Sequence, residues 1–276
     1  MHVPAHAAPD ARPAPDPTPD PAPVLRAAGL VLRTRRGPVF GAVDVDLAPG
    51  GLLSVHGPAG SGRTMLLLAL CGRAAVSGGT LTVAGTSRPR EIRRVTAFAG
   101  AEGVAGPEPE LTVGRQEREP AGPTPLSLDD TAAVLGLTLH RDRPVGELPV
   151  LSRILLAAAL AARRAPAVLL LDDADAGLTP EQRLRLAVAL RALADSGPAV
   201  VASGTDPLPG ADAHLPLGTA LTEHPAADPS GPDRPVDTAL DPVAAGPTAA
   251  PPTDPTAGPA PVTPTHGRHE KDGPLP

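Results

Sequence analysis

The 276-residue chain predicts an α/β fold with a largely parallel sheet, and three observations carry that expectation. Short apolar runs alternate with helical stretches through the middle of the chain. Two of those runs, 168–171 and 199–202, are unbroken, as strands buried on both faces require. The prolines are crowded into the ends, 22 of 39 falling in residues 1–23 and 225–276, which leaves the centre free to form regular elements. Proline removes a donor and fixes φ, and the Ala, Thr, Asp and Gly around it supply too little apolar area to offset the ordering entropy. The expected organisation is a disordered Pro-rich arm over 1–23, one domain over 24–222 and a disordered Pro/Ala/Thr-rich tail over 223–276. Limited proteolysis of the full chain should then leave a resistant fragment near residues 24–222. Protection of the tail, or collapse of the truncated domain, would contradict the division.

In order, strands are expected over 24–33, 43–47, 52–56, 80–83, 95–99, 168–171 and 199–202, and helices over 63–75, 151–164 and 180–194. The last helix carries the fullest set of signals. Thr179 caps it, Pro180 occupies the first turn, Gln182 completes a T-x-x-Q box, and Gly197 and Pro198 stop it. The longest apolar runs, 154–162 and 65–71, fall far short of the roughly 20 residues a membrane span needs, so the chain is not itself a channel. The single Cys71 cannot form an internal disulfide and lies in one of those runs, where it reads as a small core residue. Residues 1–23 lack an apolar secretory segment, and a cytoplasmic location is expected.

Charge excludes a further class. Residues 24–224 carry 20 Arg against 20 Asp and Glu, with the excess of acid on the arm and tail, and Phe40 and Phe98 are the only aromatic rings among Phe, Tyr and Trp. Neither a basic footprint nor a stacking platform for nucleic acid is present. The eight histidines show no metal-site spacing.

The strand at 52–56 runs into Gly57, Pro58, Ala59, Gly60, Ser61, Gly62, Arg63 and Thr64, and then into a helix. This is G-x-x-x-x-G-[basic]-[ST]. Glycines let backbone N–H groups turn inward, the helix N-terminus adds positive potential, the basic side chain reaches outer phosphates, and the hydroxyl can hold Mg²⁺. About 110 residues on, Asp172 and Asp173 close a buried strand. One carboxylate there suits Mg²⁺ and a second can orient water.

Together, "APGGLLSVHGPAGSGRTMLLLALCGRAAVSGGTLTVAG", "PELTV", "VGEL" and "LLLDDADAGLTP" resemble the ATP-binding subunit of ABC transporters, in order and spacing, over roughly residues 24–222. The resemblance implies a P-loop NTPase (RecA-like) parallel-sheet core, a small antiparallel β part and a helical subdomain, shortened here. It implies ATP and Mg²⁺ as cofactors, with Gly57 to Thr64 as the phosphate loop, Thr64 and Asp172 on the metal and Asp173 at the catalytic position. It also implies membrane permease subunits as partners, a homo- or heterodimer with another ATP-binding subunit, and a peripheral location at the inner face of the membrane.

The departures from the family pattern bear on activity. Arg63 stands where the family has Lys, a planar fork in place of a compact ammonium. Asp173 is one methylene shorter than the family's Glu, and a displacement near 1 Å can cost on the order of a hundredfold in rate. Thr205 occupies the switch-His position, with His214 too far along. The signature aligns with Leu148, Pro149, Val150, Leu151 and Ser152, without its glycines. Thr34 replaces the adenine-stacking ring, and Gly100 or Ala101 the coupling Gln. Only Lys271 among the basic residues is Lys, so composition accounts for a drift to Arg63 but not for losing the other contacts together. The reading is a degenerate ATP-binding subunit with weak or no hydrolysis; an active transporter ATPase and a relic without nucleotide affinity are the alternatives.

Overall fold

The computed structural model describes residues 22–218 apart from 36, 101–105 and 119–125. Most of the expected arm and all of the expected tail lie outside the described residues. Two sheets form. Strands β1 (Leu25–Thr34), β2 (Gly37–Leu47) and β4 (Gly78–Val83) make an antiparallel sheet in the order β2-β1-β4. Strands β3 (Leu52–His56), β5 (Thr96–Ala99), β6 (Val168–Leu171), β7 (Ala199–Gly204) and β8 (Ala213–Pro216) make the second, in the order β5-β6-β7-β3-β8. Its registered pairs are parallel throughout.

Helices cover this sheet because its strands have two apolar faces. Leu169 and Leu171 of β6, with Val200 and Ala202 of β7, pack on one side against α5 (Val150–Ala162) and α6 (Pro180–Asp195). Val168, Leu170, Ala199 and Val201 point the other way, into a second core with α1 (Arg63–Leu70) and the antiparallel sheet. This two-faced burial is what the unbroken runs require. Short helices α2 (Pro89–Val95), α3 (Val113–Glu117) and α4 (Leu128–Val134) complete the described α-helices. None of these helices is long and apolar enough to cross a membrane.

Strands 52–56 and 168–171 fall where expected. Other elements differ, each for a local reason. β2 begins at Gly37 rather than 43, since Pro38 and Phe40 pair with Arg33 and Leu32; Pro38 is tolerated because β2 lies at a sheet edge. Helix α1 stops at Leu70 rather than 75, and Gly72 turns the chain with φ +69°. A side chain there would meet the Pro89 carbonyl at 2.8 Å, so the helix end is fixed by close approach of α2. Pro149 flanks α5 as its N-cap residue. The capping box on α6 is formed: Gln182 N–H donates to Thr179 Oγ1 at 3.3 Å and Thr179 N–H to Gln182 Oε1 at 2.9 Å. Cys71 is fully buried, and burial pushes its thiol up to about 11.

Strand β8 and helices α2 to α4 went unread in the sequence. The connection from β7 to β8 holds no helix, although it crosses β3. It is tied to β3 instead. Leu208 N–H donates to Ser54 Oγ at 2.9 Å, and the Asp212 carboxylate accepts from Leu52 N–H at 2.7 Å and from Arg191 Nη1 at 2.7 Å. The Leu52 N–H bond is the main reason that the Asp212 carboxyl lies below its usual range.

Candidate functional site

The sheet order puts the ends of β3 and β6 on either side of β7, so the loop after β3 and the acid pair after β6 meet at the carboxyl edge. In open α/β sheets that edge is where ligands bind. The loop is shaped by two crowded glycines. A Cβ on Gly62 would lie 2.5 Å from the Val39 carbonyl oxygen, and one on Gly57 would lie 2.3 Å from that of Leu217. Gly62 also holds φ +93° as the N-cap of α1 and accepts from Leu66 N–H at 2.8 Å. The loop is thus held between β2 and the segment leaving β8.

Two polar atoms of the loop are buried without a partner: Ser61 Oγ and Arg63 Nη1. Burying such groups unpaired costs free energy, so they mark a place suited to an anionic oxygen. Thr64 is exposed beside them. The Arg63 side chain, only 9% exposed, runs to the end of β6, where Nη2 stands 2.9 Å from Asp173 Oδ1.

One hydroxyl organises the acid pair. Ser203 Oγ, at the end of β7, donates to Asp172 Oδ1 at 2.5 Å and accepts from Asp173 N–H at 2.9 Å. Asp172 is buried, and its N–H donates to the Ala99 carbonyl. Asp173 sits in the left-handed region at φ +45°, an unusual conformation for a residue with a side chain. Desolvation raises its carboxyl above the usual range, neighbouring Asp172 and Asp175 add to the rise, and Arg63 opposes it.

Thr205, at the switch position, is engaged elsewhere. Its N–H and hydroxyl donate to Asp175 Oδ2 at 2.8 and 2.7 Å. Asp206, next along, pairs with Arg183. Leu148 is buried, and Val150, Leu151 and Ser152 are partly buried in the first turn of α5. Thr34 closes β1, its hydroxyl donating to the Gly37 carbonyl at 3.2 Å. A cleft of about 370 Å³ opens between β2 and the loop, with Phe40, Val43, Gly60, Ser61 and Leu217 in its walls. Gly100 lines the cavity beside Asp172 and Asp173, while Ala101 lies outside the described residues. His214, on β8, has its ring centroid 6.1 Å from that of His56.

Ser203, Asp175 and Val39 were not singled out from the sequence. Ser203 and Val39 act on the site from strands distant in the chain, and Asp175, although inside the quoted acidic segment, acts through Thr205 some 30 residues on.

A glycine loop between a central parallel strand and a helix, with carboxylates at a nearby strand end, defines a P-loop NTPase fold. The ABC transporter family model matches residues 40–176. The chain is 30% identical over 214 residues to the cytochrome c biogenesis ATP-binding export protein CcmA of Cupriavidus pinatubonensis, covering 74% of this chain and 93% of that protein. It is 30% identical over 185 residues to the daunorubicin resistance ATP-binding protein DrrA2 of Streptomyces coeruleorubidus, spanning 58% of the latter's length. Among solved structures, cbiO1 from Clostridium perfringens, part of the ABC transporter complex cbiONQ, superposes with a TM-score of 0.56 at 17% identity, covering 67% of this chain and 79% of that one. The chain belongs to the ABC transporter ATP-binding subunits.

Proposed function

We propose that this subunit binds ATP with Mg²⁺ but hydrolyses it slowly or not at all, serving a transporter as a regulatory or structural ATP-binding partner. The observation that carries the reading is the meeting of Arg63 and Asp173 at 2.9 Å, since it joins the phosphate loop to the acid pair with the altered residues of both motifs. The loop suits a phosphate chain, its unpartnered Ser61 Oγ and Arg63 Nη1 being donors toward anionic oxygens. Gly57, Pro58, Ala59, Gly60, Ser61, Gly62, Arg63 and Thr64 would hold phosphates, and Thr64 and Asp172 the metal. When bound, the Mg²⁺ nucleotide supplies the phosphoanhydride bond whose cleavage powers transport in the family.

The residues of this chain serve binding better than cleavage. Ser203 fixes Asp172 for a metal. Asp173, the candidate at the catalytic position, spends its carboxylate on Arg63 and is short for holding a water. Thr205 is committed to Asp175. Val150 and Leu151 place side chains where the family's signature presents glycine backbone to a partner's phosphate. A dimer with an intact subunit would therefore carry the defects into both composite sites. Permease subunits are the partners this assignment requires, with the chain at the cytoplasmic face of the membrane, and substrate and direction belong to those membrane segments.

Titration of the full chain with ATP and GTP, with and without Mg²⁺, tests this. Binding should need Mg²⁺ and discriminate little between the bases, because a stacked ring worth about 1–3 kcal/mol per base is missing at Thr34. Arg63→Ala should weaken triphosphate binding by about tenfold or more, since a charge-assisted contact contributes roughly 1.5–3 kcal/mol. Arg63→Lys should tighten it, the ammonium fitting the glycine loop. Equal affinities for all three chains would mean that the loop holds no phosphate.

A further inference from the structure

We propose that Asp173 acts as a latch on the phosphate loop, competing with phosphate for Arg63, so that nucleotide enters only when the Arg63–Asp173 pair opens. The inference rests on the nucleotide-binding reading above and adds a role for Asp173 other than catalysis.

The geometry is specific. Arg63 is the first residue of α1 and Asp173 lies in the turn after β6, so the pair at 2.9 Å ties together two elements that β7 separates in the sheet. Arg63 is the basic residue of the loop, and its side chain, only 9% exposed, makes an ion pair with Asp173. A carboxylate oxygen offers the guanidinium the same interaction as a phosphate oxygen. A phosphate entering the loop therefore competes with Asp173 for the guanidinium. Nη1 remains buried and unpartnered, leaving half of the fork unsatisfied in this closed arrangement.

The two partners differ in how they can move. The backbone of Asp173 is pinned: its N–H donates to Ser203 Oγ at 2.9 Å, and the next N–H, of Ala174, donates to the Ser203 carbonyl at 2.8 Å. Its carboxylate, however, is 43% exposed. Water can solvate it after a rotation of the side chain alone. Opening therefore requires no backbone movement at Asp173, while Arg63 stays in a loop fixed by Gly57 and Gly62 and is delivered to the incoming phosphate. The wide fork of Arg spans the gap to a short Asp side chain.

A double-mutant cycle on ATP binding tests the latch. In the full chain with Mg²⁺, Asp173→Asn should tighten ATP binding by about fivefold, the scale of a half-exposed ion pair. In the Arg63→Ala background the same substitution should change affinity by less than about twofold. Thermal unfolding of each variant checks that it is folded. Should Asp173→Asn fail to fold, Asp173→Gly removes the carboxylate while relieving the positive φ, and carries the same expectation. An equal gain in both backgrounds would show a general charge effect and overturn the latch, as would an unchanged or weakened affinity for Asp173→Asn. In those cases ATP binding by the wild-type chain still upholds the nucleotide-binding reading. If no variant binds ATP, that reading falls and the latch with it.

Discussion

Gly62→Ala is expected to destabilise the domain by about 3 kcal/mol and to remove nucleotide binding. Two costs combine. A non-glycine residue held at φ +93° carries strain of order 1–3 kcal/mol. The new Cβ would also lie 2.5 Å from the Val39 carbonyl oxygen, a backbone atom of β2 that cannot swing aside as a side-chain tip would. Overpacking of this kind costs roughly 1–3 kcal/mol. Gly60→Ala makes the contrast. It sits at φ +79° with open space where the methyl would go, so strain alone applies, about 1 kcal/mol. In a domain of this size the two should lower Tm by roughly 6–12 °C and 2–4 °C. Thermal unfolding of the pair distinguishes them, and equal shifts would mean that β2 does not confine the loop.

Asp172→Asn should abolish the benefit of Mg²⁺ while leaving the fold nearly intact. The carboxylate is buried and its Oδ1 accepts from Ser203 Oγ at 2.5 Å, an acceptor role that an amide oxygen can keep. What the substitution removes is the charge, and a contact to a charged group is worth roughly 1.5–3 kcal/mol. ATP affinity with Mg²⁺ should thus fall about tenfold or more, to the value found without the metal. Affinity without Mg²⁺ should stay the same or rise slightly, because one negative charge has left a phosphate site. Retention of the full Mg²⁺ enhancement would place the metal on other ligands.

How much of this was legible in the sequence depended on whether neighbours in space were neighbours in the chain. The loop from Gly57 to Thr64 and the strand that leads into Asp172 were readable because each is one contiguous segment with its own chemistry. The capping box of α6 was readable for the same reason: Thr179 and Gln182 complete each other within one turn. The two-faced core followed from unbroken apolar runs. In contrast, β8 is four residues of mixed polarity, Ala213–Pro216, whose strand character comes from pairing with β3, and that pairing has no local signature. β2 is longer than the expected 43–47 because Gly37 and Pro38 have little strand propensity of their own, whereas the ladder with β1 overrides that. Ser203 lies in a strand that otherwise reads as simple core. Only its placement between the ends of β3 and β6 makes its hydroxyl the organiser of the acid pair. The pairing of Arg63 with Asp173 was hidden too, since the sequence marked both as departures from a family pattern without indicating that they meet.

If the site keeps its loop without its chemistry, as proposed, turnover of ATP by the purified full chain at saturating nucleotide with Mg²⁺ is the direct test. Phosphate release should be absent or far slower than about 1 per second, the lower end of typical enzyme turnover. Release at about 1 per second or faster, lost in Asp172→Ala, would show a working ATPase and contradict the account.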